Sequence, residues 1–303
     1  MSEYPFFSVV IPTYNRAPFL EATLGTVLSQ TYPHYEIIVV DNASTDNTVE
    51  LLQPYVQDGR IKFIRHERNF ERARSRNTGM SAARGDFVTL LDSDDFMYPS
   101  NLADAAEFAK THPELKCFQN LYEYVDAERN FLRGVTMPTL DDQLQAISEG
   151  NFMSCIGDFI HRDIYQHYQF DTTAQLTGGE DWDFWLRILA DHKVGRIEKV
   201  NSGILQHSGR SVNNQNLENM RSGLEYLCDK LEQDPHLSKV YRAYLKRIRA
   251  NSLLYLAILA NGAGAFEEAR KYTKKAVRAD ASLLTSERFW RSARRSWLRL
   301  QPS

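Results

Sequence analysis

Over the first hundred residues, short apolar runs alternate with polar loops and with stretches of helical period. Phe7-Ser8-Val9-Val10-Ile11 is short, rich in β-branched side chains and stops at Pro12; Leu20, Leu24, Val27 and Leu28 then follow at helical spacing. The pattern predicts a strand followed by a helix. Glu36 to Val40 repeats the strand pattern, and after the turn-rich Asp41-Asn42-Ala43-Ser44-Thr45-Asp46 come Val49, Leu51, Leu52 and Val56 on a second helix. Further strands are predicted at Ile61 to Ile64 and Phe87 to Leu91, with a helix over Arg72 to Ala83 between them. Continuous apolar strands alternating with helices indicate an α/β fold with a mostly parallel central sheet and helices on both faces. Ligands of such sheets bind beyond the carboxyl ends of the strands, where the polar clusters fall here.

From Lys116 to Asn213 the pattern is less regular: a strand over Lys116 to Val125, a helix over Asp181 to Asp191, and strands at Arg196 to Val200 and Gly203 to Gln206. After Asn213 the strand signals stop. Leu217–Leu231, Lys239–Ala260, Phe266–Ala279 and Ser286–Leu300 all carry helical periodicity. The division predicted is a domain over 1–215 and an all-helical C-terminal appendage over 216–303. Gly264 to Arg270 with Ala276 resembles one helix pair of a tetratricopeptide-type repeat, too little for an array.

The composition, 43% hydrophobic and 25% charged, excludes a mainly disordered chain. No apolar run reaches the length of a membrane span, and MSEYPFF lacks the marks of a secretory signal. Cys117, Cys155 and Cys228 are odd in number and widely spaced, which fits a reducing compartment, so a cytoplasmic location is expected. The net charge of −3 hides an asymmetry. Residues 239–303 hold 15 Lys and Arg against 4 Asp and Glu, a surplus of +11, leaving −14 for the rest. A basic tail on an acidic body suits an anionic partner.

Leu91-Asp92-Ser93-Asp94-Asp95 puts three carboxylates on a turn directly after a predicted strand. That density of charge calls for a hard divalent cation such as Mg²⁺ or Mn²⁺, which takes oxygen ligands and is shared with substrate phosphates. A solvated loop capping the next helix is the other reading of the same residues. Taken with Val9-Val10-Ile11-Pro12-Thr13-Tyr14-Asn15-Arg16, the Asp41 to Asp46 turn, Asn69, and Arg76-Asn77-Thr78-Gly79, the Asp92 turn completes an ordered set of motifs. Over Ser8 to about Ser211 the chain resembles the inverting family 2 glycosyltransferases, whose nucleotide-sugar-binding domain has the GT-A fold.

The resemblance implies a nucleotide-sugar donor, a UDP-sugar by family habit, and Mn²⁺ or Mg²⁺ as cofactor. Pro12 and Tyr14 would wall the base site, Asp41 would accept from a base N–H, and Asp92 with Ser93 would contact the donor. Asp94, in the position of the family's DxD motif, would hold the metal; Arg76 would organise the nucleotide side, and Gly79 would let a helix pack closely. Tyr14 also reads as ordinary packing, and Asp41 as a turn aspartate bonded to local backbone. Glu71 stands where the family commonly has glycine two residues after Asn69.

Gly178-Gly179-Glu180-Asp181-Trp182-Asp183-Phe184-Trp185 matches the family's second acidic motif. By the resemblance Asp181 is the base that deprotonates the acceptor hydroxyl, with Glu180 as second choice; capping of the helix is the alternative for Asp181. His207 stands where relatives bring a histidine to the metal or diphosphate, in a Gly- and Ser-containing segment suited to loop closure. The implied acceptor is a glycan or a lipid-linked glycan, in cell-surface polysaccharide or glycoconjugate assembly. A non-catalytic nucleotide-sugar-binding module and a sugar nucleotidyltransferase are the competing readings. The latter generally needs a Gly-rich loop where Pro12 to Arg16 stands. No Gly-x-Gly-x-x-Gly follows the first strand, and no nucleic-acid-binding motif occurs.

The end of the chain, Arg288 to Leu300, sets Trp290, Ala293, Trp297 and Leu300 on one helical stripe among five arginines. That composition suits an interfacial helix on anionic lipid, hence a peripheral place on the cytoplasmic membrane face; packing onto the rest of the chain or onto a partner protein fits it equally.

Overall fold

The computed structural model describes residues 4–176, 178–207, 209–210 and 216–300. Along the chain run β1 (Phe7–Thr13), α1 (Ala17–Leu28), β2 (Tyr35–Asp41), α2 (Thr48–Gln57), β3 (Lys62–Arg65), α3 (Arg72–Ala82) and β4 (Phe87–Leu91). Then follow β5 (Phe96–Met97), α4 (Asn101–Thr111), β6 (Cys117–Val125), β7 (Phe131–Gly134), α5 (Gln143–Glu149), β8 (Ile156–His161), α6 (Arg162–Tyr165) and α7 (Glu180–Asp191). The remainder is β9 (Gly195–Leu205), α8 (Leu217–Gln233), α9 (Pro235–Val240), α10 (Leu245–Gly262), α11 (Phe266–Ala279) and α12 (Glu287–Leu298).

Contacts group the chain into two compact units whose segments interleave. The first takes Met1–Leu140, Met153–Thr172 and Asp191–Arg210; the second takes Asp141–Phe152, Thr173–Ala190 and Ser211–Ser303. The packing therefore does not follow one break near residue 215. The reason is visible in the second unit: Asn251 of α10 donates to the Ser148 carbonyl of α5 at 3.3 Å, and the buried Tyr241 hydroxyl donates to the Leu186 carbonyl of α7 at 2.8 Å.

Among the described residues all nine strands belong to the first unit and form one sheet in the order β3-β2-β1-β4-β8-β6-β9-β5, with β7 paired to β6. The strands β1 to β4 are mutually parallel, as their apolar runs imply, with Val10 opposite Ile38 on one side and Leu90 on the other. Beyond them the sheet is mixed: β8 runs antiparallel to β4 and β6, while β6 and β9 are parallel. The two short strands expected at Arg196 to Val200 and Gly203 to Gln206 are one strand, β9. Irregularities in its register against β6 at Asn120 to Tyr122 absorb the polar stretch that splits the sequence pattern. Phe7, Phe87, Phe118 and Phe159 are all fully buried and stack or meet edge-on at the centre of the sheet. Each such ring buries enough area to stabilise the fold by about 1.5–3 kcal/mol.

Gly79 brings α3 hard against β1: a Cβ built there would stand 2.2 Å from Val10 Cγ1. In the second unit the helix expected from Lys239 to Ala260 is interrupted. It is α9 and α10, separated by a turn in which Tyr244 N donates to the Tyr241 carbonyl at 2.7 Å. The stripe expected on α12 also divides. Phe289 and Ala293 pack on Ala250, Leu254 and Ala276, whereas Trp290, Trp297 and Leu300 are exposed. Among the described residues no helix is long and apolar enough to cross a membrane.

Candidate active site

Parallel strands deliver the loops after β1, β2 and β4 to one edge of the sheet, and that edge gathers most of the polar residues singled out by the sequence. Pro12 pairs with Val40 after the β1–β4 ladder has ended at Val10, so its missing N–H interrupts no rung of that ladder. Tyr14 follows at the strand end and is 40% exposed. Asn15, at φ 51, ties this loop to the next: its Oδ1 accepts from Thr45 N at 2.8 Å and its N–H donates to Ser44 Oγ at 2.9 Å. Ala43, at φ 63, is held in a left-handed conformation by the same stitching, a strained backbone position of the kind that clusters at functional sites.

Asp41 ends β2 and is fully buried. Both of its carboxylate oxygens accept from Ser44 N at 3.2 Å, and Arg65 Nε lies 3.2 Å from Oδ2. The turn-forming use of Asp41 is thus present. An ionised carboxylate has lone pairs left for one further donor. Beside it Asn42, 5% exposed, anchors the loop before α3: Nδ2 donates to Asn69 Oδ1 at 2.7 Å and to the Phe70 carbonyl, and Oδ1 accepts from Phe70 N at 3.0 Å. His66 Nδ1 also lies 3.0 Å from that oxygen, so Nδ1 carries the proton and Nε2 accepts from Thr78 Oγ1 at 3.0 Å. A cavity of about 380 Å³ opens here, lined by Asn69, Phe70, Glu71, Arg74 and Thr172.

In the acidic turn after β4, Ser93, Asp94 and Asp95 are buried, while the Asp92 side chain stays partly open to solvent. Arg76, on α3 and 1% exposed, donates from Nη2 to Asp92 Oδ1 at 3.1 Å, with its guanidinium 5.4 Å from the Phe170 ring centre. Burial pushes the Asp92 pKa upward, but the charges of Arg76, Arg72 and Arg210 outweigh it and hold this carboxyl below the usual range. Asn77 clamps the same segment: Nδ2 donates to the Phe170 carbonyl and Oδ1 accepts from Phe170 N, both at 2.8 Å. Ser93 is buried and turns its carbonyl to Thr23 Oγ1 at 3.1 Å.

Asp94 is the meeting point of three loops. Its Oδ2 lies 3.0 Å from His207 Nε2, beyond β9, and 3.4 Å from Arg16 Nε, after β1. Arg16 also donates from Nη2 to the Gly209 carbonyl at 3.0 Å, and Phe19 packs on the His207 ring at 4.4 Å between centres. Asp95 accepts from Leu205 N at 3.1 Å and from Arg210 Nη1 at 2.9 Å. Burial, reinforced by Asp92 and Asp94 and opposed by Arg210, pushes its pKa up to about 8. Crowded carboxylates of this kind favour a cation. Among the described residues no three His, Cys, Asp or Glu side chains form a ready-made metal cage. Ser208 and Ser211 of the same segment lie outside the described residues.

The second acidic motif belongs to the second unit, at the first turn of α7. Asp181 lines a cavity of about 400 Å³ together with Gly150, Gly178, Trp182, Asn251 and Arg288. Trp182 is fixed there by a 2.8 Å hydrogen bond from Nε1 to the Ile147 carbonyl. Glu180 is not among the lining residues: it is 4% exposed, and its Oε2 accepts from Gly178 N at 2.7 Å. Its carboxylate holds the turn that presents Asp181, which leaves Asp181 as the candidate base. Gly178 at φ +90 and Gly150 at φ +150 occupy backbone regions that L side chains rarely adopt, so glycine at both places shapes the cavity wall. Asp183 faces away from that role, paired with Arg187 at 2.9 Å and Lys230 at 2.7 Å.

Arg16, Asn42, Arg65 and Arg210 hold the first site together without having been chosen from the sequence. Arg16 and Asn42 sit inside the quoted motifs and Arg210 follows His207 by three residues, so closeness to a motif is the signal available for these three; Arg65 offers none.

Residues 8–168 match the family described as Glycosyl transferase family 2. An uncharacterised glycosyltransferase of Haemophilus influenzae is 29% identical over 190 residues, covering 62% of this chain and 74% of that protein. Among solved structures, S. aureus TarS 1–349 in complex with UDP-GlcNAc superposes with a TM-score of 0.65 at 18% identity, covering 90% of this chain and 89% of TarS. The mannosyltransferase PcManGT of Pyrobaculum calidifontis, in complex with GDP-Man and Mn²⁺, gives 0.56 at 18% identity over 97% and 87% of the two chains. With the α/β sheet and its loop edge already described, these likenesses set aside the nucleotidyltransferase reading. The chain belongs to glycosyl transferase family 2 and is a glycosyltransferase with the GT-A fold.

Proposed function

We propose that the protein is a metal-dependent inverting transferase that moves a sugar from a nucleoside-diphosphate sugar, a UDP-sugar in the first instance, to an acceptor hydroxyl in cell-surface polysaccharide or glycoconjugate assembly. The observation that carries this is the Asp92 to Asp95 turn at the loop edge, where Asp94 meets His207 and Arg16. Support comes from the UDP-GlcNAc held by TarS and the GDP-Man and Mn²⁺ held by PcManGT. Asp94 and His207 fit a Mn²⁺ or Mg²⁺ ion, because such ions use one or two protein ligands and complete their shell with diphosphate oxygens and water. When bound, the ion supplies charge stabilisation to the departing diphosphate.

Tyr14 stacks on the base, Asp41 accepts from it, and Asp92, oriented by Arg76, holds the ribose. On the acceptor side Asp181 takes the proton of the attacking hydroxyl. The new bond joins acceptor oxygen to the anomeric carbon as the bond from that carbon to the diphosphate oxygen breaks, and the electron pair leaves with the diphosphate. Attack from the face opposite the leaving group inverts the anomeric configuration. A thermal-shift panel of UDP-, GDP-, CDP- and dTDP-sugars with and without Mn²⁺ tests the donor half. Stabilisation by one nucleotide, dependent on Mn²⁺ and lost in Asp94→Ala, is expected; indifference to all four refutes it. Proton NMR of the glycoside product reads the stereochemistry.

The exposed Trp290, Trp297 and Leu298 stand among Arg291, Arg294 and Arg295 on α12, and we assign them to an anionic membrane surface on which a lipid-linked acceptor would be met. Flotation with phosphatidylglycerol vesicles should weaken in Trp290→Ser/Trp297→Ser. Equal flotation of variant and wild type removes the membrane role.

A further inference from the structure

The cavity around Asp181 contains one feature that deprotonation of a hydroxyl does not require. Of the described residues lining it, Asp181 is the one acid and Arg288 the one permanent cation. Arg288 comes from the first turn of α12, far along the chain from Asp181, and its guanidinium is fixed by a hydrogen bond from Nη1 to the Glu149 carbonyl at 3.2 Å, at the C-terminal end of α5. A helix C-terminus is a favourable place for a cation. The backbone of Gly150 makes room for it: a Cβ at that position would stand 3.2 Å from Nη1. Among the described residues Arg288 forms no ion pair with a carboxylate. A guanidinium carries five N–H donors in a rigid fork, of which this hydrogen bond uses one.

An exposed arginine on a helix usually points into water. Here it is drawn across a glycine onto the wall of the cavity that holds the candidate base, with no carboxylate paired to it among the described residues. Trp182 and Leu224 supply apolar wall, and Asn151 and Asn251 supply amide groups, the mixture that suits a sugar or polyol. Negative charge is excluded near Asp181 but welcome at Arg288, so the ligand that satisfies both is a hydroxyl compound with an oxyanion set apart from the reacting hydroxyl.

We propose that this cavity binds an anionic acceptor, a phosphate- or carboxylate-bearing sugar or polyol, with Arg288 holding the anion and thereby selecting the acceptor. The proposal rests on the reading of Asp181 as the acceptor-side base. Arg288 touches the acceptor and takes no part in bond making.

The test uses the full chain labelled with 5-fluorotryptophan and no nucleotide, the Trp182 ¹⁹F resonance being assigned from Trp182→Phe. The anionic probes are glycerol 3-phosphate and glucuronate, and the neutral probes are glycerol and glucose. Wild type should bind an anionic probe about tenfold or more tightly than its neutral counterpart, the scale of hydrogen bonds to a charged group, and Arg288→Met should erase the difference while Arg288→Lys keeps part of it. Tighter binding of glycerol 3-phosphate identifies a phosphate acceptor and tighter binding of glucuronate a uronate; either supports the proposal. Equal binding of charged and neutral probes by wild type overturns it without recourse to any variant, as does preference that survives in Arg288→Met or the absence of any response at Trp182. Failure of the underlying reading looks different: anion binding that depends on Arg288, with turnover unchanged in Asp181→Asn, leaves an anion site and overturns its assignment to the acceptor.

Discussion

Replacing Arg76 by Met probes the joint between the sheet edge and the candidate donor site. The Arg76 side chain is 1% exposed and that of its partner Asp92 is 32% exposed. Breaking a buried ion pair from one side costs about 3–5 kcal/mol, because the remaining charge is stranded. Asp92 keeps about a third of its surface in water, and Met retains most of the packing against Phe170, so the low end applies: about 3 kcal/mol. For a chain of this size each kcal/mol shifts the melting temperature by about 2–4 °C, giving a fall of about 6–12 °C. Urea unfolding of Arg76→Met, Asp92→Asn and the double variant gives the pair's own share. The double variant should lose about 1–2 kcal/mol less than the sum of the singles, since its second substitution removes a charge already stranded. Strict additivity, within about 0.5 kcal/mol, would show that Arg76 and Asp92 act independently and refute this account of the turn. Donor KM should rise more than kcat falls, because the pair orients a binding group.

Other consequences are as direct. Glu36 accepts from Ser8 Oγ at 2.7 Å and Arg84 N at 2.8 Å and pairs with Arg84 Nη2 at 3.0 Å. Burial raises its pKa, these partners lower it further, and the net position is below the usual range. A depressed carboxylate stabilises above its unfolded pKa of about 4.3 and loses that contribution as pH falls through the lower folded value. The stability gap between wild type and Glu36→Gln should therefore be constant from pH 7 to 5 and shrink between about pH 4 and 3; urea midpoints showing a constant gap to pH 3 contradict this. Gly79→Ala should cost about 1–3 kcal/mol by forcing a methyl onto Val10, and Gly79→Ala/Val10→Ala should lose less than the singles together in the same assay. Asp181→Asn should cut kcat by about 10²–10⁴ with donor KM little changed. Glu180→Gln should instead lower the melting temperature, since its carboxylate is bonded to Gly178 N.

The strands β1, β2 and β4 are legible in the sequence because their apolar runs are buried on both faces, whereas β3, with Lys62 and Arg65 exposed, is legible only from Phe63 and Ile64 between them. The strand β8 escapes notice: Ile156-Gly157-Asp158-Phe159-Ile160-His161 carries a buried aspartate and a glycine lying against Asn120. The helix α4 hides for another reason, since alanines supply much of its buried face. At the site, the acidic residues stand out because buried or clustered carboxylates are chemically conspicuous. The arginines that answer them do not. Arg16, Arg65 and Arg210 look like any solvated surface charge until the loops bring them to Asp94, Asp41 and Asp95. The division of the chain is hidden for the same cause: nothing in residues 141–152 marks them as partners of helices a hundred residues later.

That interleaving bears on how the protein is made. The strands that frame the loop edge are complete once residue 205 has been synthesised, whereas the hollow at Asp181 needs Arg288 for its final wall. A nascent polypeptide emerging from the ribosome would thus finish the strands of the sheet well before the hollow at Asp181 is enclosed, and a product stopped short of α12 would carry the one with the other left open.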